Sequence, residues 1–212
     1  MHPDRYFLVS SHCTNAYGGG SGTMIGQSSA AETVGTEIED PAFSASLPGC
    51  PPGRVCRYSD AALVEFLDSA HGLPGYVAYP SLLGTKVVNS PRLVEAVALL
   101  PLVGTPVEKV GQTTGRTAGT ISHSCLALNP TEIPFDPIGR TFLCQVAADD
   151  LETLDGDSGA PVFQVAADGS LIAQGVIWGN IGGGQGAVLS DIHRITDEVS
   201  IGGTYELDPT VP

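Results

Sequence analysis

Turn-forming residues interrupt this chain at short intervals, and that limits what it can fold into. Its 212 residues include 27 Gly and 16 Pro spread along the whole length. A long helix or coiled coil cannot run through them. Between them stand short runs rich in Val, Ile, Leu, Phe and Thr. Such runs bounded by Gly, Pro, Asn and Asp turns predict an all-β sandwich or barrel. Candidate strands are residues 5–10, 22–27, 61–66, 75–79, 106–110, 119–127, 141–147, 161–165, 171–178 and 186–190. Residues 162–165 and 171–174 flank AADGS, a hairpin signal. One helix is expected over residues 191–199, with Ser190 or Asp191 able to cap it. Residues 200–212 read as a fraying polar tail. Residues 81–100 are ambiguous, because 93–100 lack alternation and suit strand or helix. A composition break at residues 101–106 marks the best boundary between two halves.

Charge removes other classes. The chain carries 23 acidic and 9 basic side chains, a formal charge of −14. With no Lys/Arg run, it does not offer the cations that phosphate backbones require. The longest apolar stretch, residues 94–103, contains Glu95 and Pro101 and falls well short of the roughly 20 residues that span a bilayer. No internal repeat is visible. The sequence therefore predicts a monomeric globular protein that binds neither nucleic acid nor membrane.

There are five cysteines. Cys50 and Cys56 bracket CPPGRVC, a turn-forming stretch that suits a small disulfide loop. Cys125 and Cys144 lie in two β-like segments and suit a bridge across their hairpin. Cys13 is left over and is expected to be free. No CxxC pair and no Cys/His cluster at zinc spacing occurs, so no metal and no cofactor is expected. Paired cysteines fit an extracellular protein. The first residues hold no signal peptide, since their apolar run is only Tyr6 to Val9. An exported-looking body without an export signal points to an incomplete chain start.

The string Gly156-Asp157-Ser158-Gly159-Ala160-Pro161-Val162 carries the most chemistry. A Ser between glycines on a tight turn, followed by a β-run, is a setting for an exposed nucleophile. The N–H groups of Gly156 and Ser158 can converge there as an oxyanion hole. A Ser hydroxyl needs a base, and the base needs an orienting group. His12 follows an apolar strand, and Asp60 opens a β-like run. The order is His, Asp, Ser.

The strings FLVSSHC, YSDAALV and GDSGAPV resemble the three catalytic motifs of the trypsin/chymotrypsin-like serine peptidases, whose triad is a standard template. GQTTGRTAG (residues 111–119) and GVIWGN (residues 175–180) resemble the secreted bacterial branch. The resemblance implies two antiparallel six-stranded β-barrels with the site between them and a short C-terminal helix. Residues 1–103 would carry His12 and Asp60, and residues 104–212 would carry Ser158. It implies His12 as general base, Asp60 as its orienter, Ser158 as nucleophile, and Gly156 and Ser158 as oxyanion donors. Asp157 would hold the Ser158 loop. Ile177, Trp178 and Gly179 would line the substrate cleft, and residues 182–184 its far wall. Glu152 falls where a pocket floor is expected, and a carboxylate there would favour Lys or Arg in a polypeptide substrate.

Two departures qualify the resemblance. Only 11 residues precede His12, where the family has about two more strands. The first barrel is thus expected to be incomplete, with an open edge, and the family partner of Cys13 would lie in that absent stretch. Ile177 stands where the family often has a Ser contacting the triad Asp, so Asp60 must use other donors. The expected function is a serine endopeptidase acting through an acyl-enzyme. The alternatives are a catalytically inactive trypsin-like fragment or binding relic, and a hydrolase pairing Ser158 with Asp191 or His193. The second of these lacks βα alternation and the last Gly of a G-x-S-x-G elbow.

Overall fold

A computed structural model describes residues 6–27, 32–67, 73, 75–130 and 139–199. The expected tail at residues 200–212 lies outside the described residues, as does the start of the first candidate strand. Thirteen strands and one helix follow in chain order: β1 (Tyr6–Val9), β2 (Met24–Gly26), β3 (Thr33–Glu39), β4 (Val55–Arg57), β5 (Ala62–Phe66), β6 (Tyr76–Pro80), β7 (Val88–Val97), β8 (Pro106–Gly111), β9 (Gly115–Leu128), β10 (Arg140–Asp149), β11 (Pro161–Val165), β12 (Leu171–Ile181), β13 (Gly186–Asp191) and α1 (Ile192–Val199).

The strands form two sheets. The first is four-stranded, in the order β1-β5-β3-β2. Its pairs are antiparallel, with Phe7 opposite Val64 and Thr36 opposite Glu65. In the second, β11, β8, β9, β10, β13 and β12 run side by side, and β11 pairs β12 again to close a barrel. Each of these strands turns small or branched apolar side chains inward. Val107, Ile121, Val146, Val162, Ile177 and Leu189 pack into one core. At roughly 1.5–3 kcal/mol per buried aliphatic side chain, this core is the main source of the barrel's stability. The β11–β12 hairpin forms at the expected turn.

The two sheets do not divide at residue 103. The β6–β7 hairpin joins the second sheet through a parallel pairing of β7 with β12, Leu171 opposite Val94. Val77 and Tyr79 of β6 then cover Phe163 and Leu171 on the barrel's outer face. β4 also crosses over, pairing with the start of β10. The composition break at residues 101–106 therefore falls after the chain has already entered the second sheet. β7 also resolves the ambiguity at residues 93–100 in favour of a strand as far as Val97, with residues 98–100 outside it.

β3 was not anticipated, and the reason is visible in its buried positions. Gly35 and Glu37 face inward instead of apolar residues. A Cβ on Gly35 would lie 2.6 Å from a Val64 methyl and 2.8 Å from the Phe7 ring. The Glu37 carboxylate is buried, with Oε2 accepting the Thr23 N–H at 3.2 Å and Oε1 without a partner among the described residues.

Both expected disulfides are present, Cys50–Cys56 and Cys125–Cys144. Cys13 is free and exposed. α1 packs Ile192, Ile195 and Val199 against Ala61 and Val176. Asp191 caps it, accepting the Arg194 N–H at 2.9 Å. Burial pushes the Asp191 carboxyl above its usual range, against these N–H bonds and Arg194. Among the described residues, no helix is long and apolar enough to cross a membrane.

Candidate active site

The first sheet delivers His12 and Asp60 from neighbouring strands. β1 ends at Val9 and the chain tightens into a 3-10 turn over Ser11–Cys13 that carries His12. β5, antiparallel to β1, begins at Ala62, so Asp60 sits beside that turn. Ser11 N–H donates to the Asp60 carbonyl at 3.2 Å. A buried ion pair underpins the corner. Arg57 Nη1 reaches Asp40 Oδ1 at 2.8 Å, and both side chains are fully buried. Asp40 also accepts Ser11 Oγ at 2.9 Å and Gly18 N–H at 2.7 Å. Arg57 donates further to the Ala61 carbonyl at 2.8 Å. These bonds offset the cost of holding a charge pair away from water, and Arg57 Nε keeps only a 3.8 Å charge contact with Glu198 Oε2.

The second barrel delivers Ser158 on the turn between β10 and β11. Asp157 anchors this turn from inside. Its carboxylate accepts Thr113 N–H at 2.8 Å, Thr114 Oγ1 at 2.7 Å and Leu154 N–H at 3.2 Å. Lys109 Nζ lies 3.4 Å away, with both side chains fully buried. Burial alone would raise the Asp157 pKa, yet these donors and Lys109 hold it below its usual value. Gly111 leaves room for the anchor, since a Cβ there would lie 2.2 Å from Asp157 Oδ1. Gly156 has φ +94°, the left-handed region that favours glycine.

The three side chains meet. His12 Nε2 is 2.8 Å from Ser158 Oγ. His12 Nδ1 is hydrogen-bonded to Asp60 Oδ2. The His12 backbone N–H also donates to Asp60 Oδ1 at 3.1 Å, so both carboxylate oxygens are held by His12. Asp60 is completely buried, and the His12 side chain is 27% exposed, open to an incoming substrate. Burial disfavours a charged imidazole, but the hydrogen bonds and charges of Asp60 and Cys13 outweigh it and hold His12 well above its usual 6.5. Among the described residues, the N–H groups of Gly156 and Ser158 have no backbone acceptor. Two donors are thus left beside the nucleophile.

A small cleft pocket adjoins Ser158. It is lined by Thr153, Leu154, Asp155, Ile177, Trp178, Gly179 and Asn180. Three of the four expected cleft residues, Ile177, Trp178 and Gly179, stand there. The fourth does not. Glu152 is exposed and absent from the lining. After Glu152 the chain docks on residues 182–184, the Thr153 N–H donating to the Gly184 carbonyl at 3.0 Å. The Glu152 carbonyl is held to the barrel, accepting the Thr117 hydroxyl at 3.0 Å, while the residue itself is exposed. Residues 182–184 back the pocket at one remove, and a Cβ on Gly184 would lie 2.6 Å from a Leu154 methyl. Among the described residues, no group of three His, Cys, Asp or Glu side chains could hold a metal ion.

Several residues that support the site escaped the sequence reading. Asp40, Arg57, Lys109, Gln145, Ser190 and Glu198 are all buried polar side chains. Each lies within an otherwise ordinary strand or turn string, and buried polarity has no local signature. Ile177, lacking a hydroxyl, offers Asp60 nothing, while Ser190 Oγ lies 2.8 Å from the Asp60 N–H.

No protein-family model matches the chain, and no curated protein matches it. Solved structures do. A glutamic acid-specific serine protease superposes with a TM-score of 0.63 at 20% identity, covering 93% of this chain and 85% of that one. Protease A of Thermobifida fusca gives 0.61 at 22% identity, over 92% of this chain and 82% of that one. Cellulomonas bogoriensis chymotrypsin gives 0.57 at 21% identity, over 90% and 80%.

Proposed function

We propose that this chain, which has the two-barrel fold of those bacterial chymotrypsin-like proteases, is itself a serine endopeptidase. The observation that carries the reading is the continuous chain of contacts from Ser158 Oγ through His12 to a buried Asp60. A nucleophile, a base and an orienter are each within hydrogen-bond reach of the next, as nucleophilic catalysis requires.

The chemistry follows from that geometry. Ser158 Oγ bonds to the peptide carbonyl carbon as its proton passes to His12 Nε2. The carbonyl π electrons move onto oxygen, where the N–H groups of Gly156 and Ser158 receive the charge. Asp60 keeps the Nδ1 proton in place and stabilises the imidazolium. Collapse breaks the C–N bond, and the leaving amine takes the proton from His12. Water repeats the sequence on the acyl-enzyme and frees Ser158. The substrate is a polypeptide, and an extracellular setting suits the two disulfides.

A preference for Lys or Arg through Glu152 finds no support in this geometry. The pocket beside Ser158 has one carboxylate, Asp155, at its exposed mouth. The test of the function is labelling with a serine-reactive fluorophosphonate, alongside Ser158→Ala and His12→Ala. Labelling of the wild-type chain that disappears in both variants is expected. A folded wild-type chain that does not label overturns the reading and leaves an inactive relic.

A further inference from the structure

Between the end of β4 and the start of β5, residues 58–60 have no partner strand, yet they carry Asp60 into the site. Apart from the Asp60 carbonyl, which accepts the Ser11 N–H, their backbone partners are side chains of the second barrel and α1. Glu198 accepts the Tyr58 N–H at 2.6 Å and the Ser59 N–H at 2.8 Å. Gln145 donates to the Tyr58 carbonyl at 2.8 Å. Ser190 Oγ takes the Asp60 N–H.

We propose that Gln145 is a positioning residue for the triad: its carboxamide ties Trp178 of the cleft strand to the segment carrying Asp60, so the two barrels hold one catalytic geometry. The inference rests on reading His12, Asp60 and Ser158 as the triad.

Gln145 is fully buried at a bulge in β10. Its Nε2 donates to the Tyr58 carbonyl and, at 2.7 Å, to the Leu143 carbonyl. Its Oε1 accepts Trp178 Nε1–H and Ser190 Oγ–H, both at 2.8 Å. Two donors and two acceptor sites are all used, so the amide has one orientation. The directions are forced by chemistry. Asp60 N–H can only donate, so Ser190 Oγ accepts it, and the hydroxyl proton is left for Gln145. The indole N–H likewise can only donate. Trp178 is itself placed beside Ser158 and packed on Phe142 at a ring separation of 4.9 Å. A fully satisfied buried network fixes one arrangement, whereas a partly satisfied one loosens it. Because Ile177 cannot hold Asp60 as a Ser would, the segment is held by these side chains of the second barrel and α1.

The test replaces Gln145→Leu, which keeps the volume and removes all four bonds. Ser190→Ala removes one link next to Asp60 and serves as the second variant if the first does not fold. The deciding readout is the NMR titration of His12 in a Ser158→Ala background, which prevents self-cleavage. The groups facing His12 are Asp60, Cys13 and Tyr17. Cys13 and Tyr17 are untouched by either substitution, so a change reports on Asp60. The expected result is a His12 midpoint that moves down toward 6.5 as Asp60 drifts. With Ser158 intact, kcat on an ester substrate should fall about 10²-fold, the cost of a roughly 1 Å misplacement, with KM changed less. An unchanged His12 midpoint in a folded variant overturns the inference, whatever happens to thermal stability, because a structural role alone would lower stability and leave the titration in place. A wild-type chain that fails to label with fluorophosphonate refutes the proposed activity, while the His12 titration still decides the role of Gln145.

Discussion

Lys109→Met puts the anchor of the Ser158 turn under direct test. In the wild-type chain the ammonium and the Asp157 carboxylate are both completely buried and 3.4 Å apart. Methionine keeps nearly the same stem, so no cavity forms and the effect is electrostatic. Removing one member of a buried pair costs about 3–5 kcal/mol, because the other charge is left without its counterion. Asp157 retains two Thr114 contacts and the N–H groups of Thr113 and Leu154. Those donors place the loss at the lower end, about 3 kcal/mol. For a domain of this size that corresponds to a fall in Tm of about 6–12 °C. The sign with pH is fixed. The Asp157 pKa is depressed in the folded chain, burial being outweighed by its donors and by Lys109. Its contribution is therefore present above the unfolded value of about 3.9 and is lost as pH falls through the lower folded value. Below that point the wild-type chain loses the pair as well, and the gap between wild type and variant closes. The assay is thermal unfolding by circular dichroism at about pH 7 and about pH 3. A Tm within about 2 °C of wild type at neutral pH, or a gap of equal size at both, refutes the reasoning.

Three other outcomes follow from the site. The rate should rise with pH as His12 loses its proton, with a midpoint above 6.5 because Asp60 and Cys13 outweigh burial; a pH–rate profile centred at or below 6.5 contradicts this. The same raised value stabilises the fold fully below 6.5 and progressively less as pH climbs through the folded His12 value. Gly156→Ala forces a side chain at φ +94° and puts its Cβ 2.6 Å from Thr113 Oγ1. It should lower kcat about 10²-fold by misaiming one oxyanion donor, and steady-state kinetics showing wild-type kcat would remove Gly156 from that role. Glu152→Ala should leave the ratio of kcat/KM for Lys against apolar substrates within about twofold. A collapse of that ratio would return Glu152 to the pocket.

Much of this protein was legible in the string. The strands with alternating or continuous apolar runs, the 162–174 hairpin, the helix at the C-terminal end of the described chain and both disulfides were readable there. All of these are local, since a side-chain period of two, a turn residue or a cysteine spacing is written within about ten residues. The motifs around His12, Asp60 and Ser158 are equally short. What lay beyond the sequence is what depends on distant partners. β3 buries Gly35 and Glu37, so its period is invisible until Phe7, Val64 and Thr23 surround it. The β6–β7 hairpin belongs to the second sheet because its apolar face finds Phe163 and Leu171, although the chain's composition breaks after it. Glu152 occupied the expected position by counting, yet it is exposed and stands outside the pocket beside Ser158. Gln145, Ser190 and Glu198 are ordinary polar letters whose work begins only when two barrels bring them to residues 58–60. Which local elements form, and which residue types carry chemistry, is written in short stretches of the string, because those follow from the backbone and its near neighbours. Which buried polar groups hold that chemistry in place emerges with the tertiary fold, because a hydrogen bond between residues 87 or 140 positions apart leaves no trace in either neighbourhood.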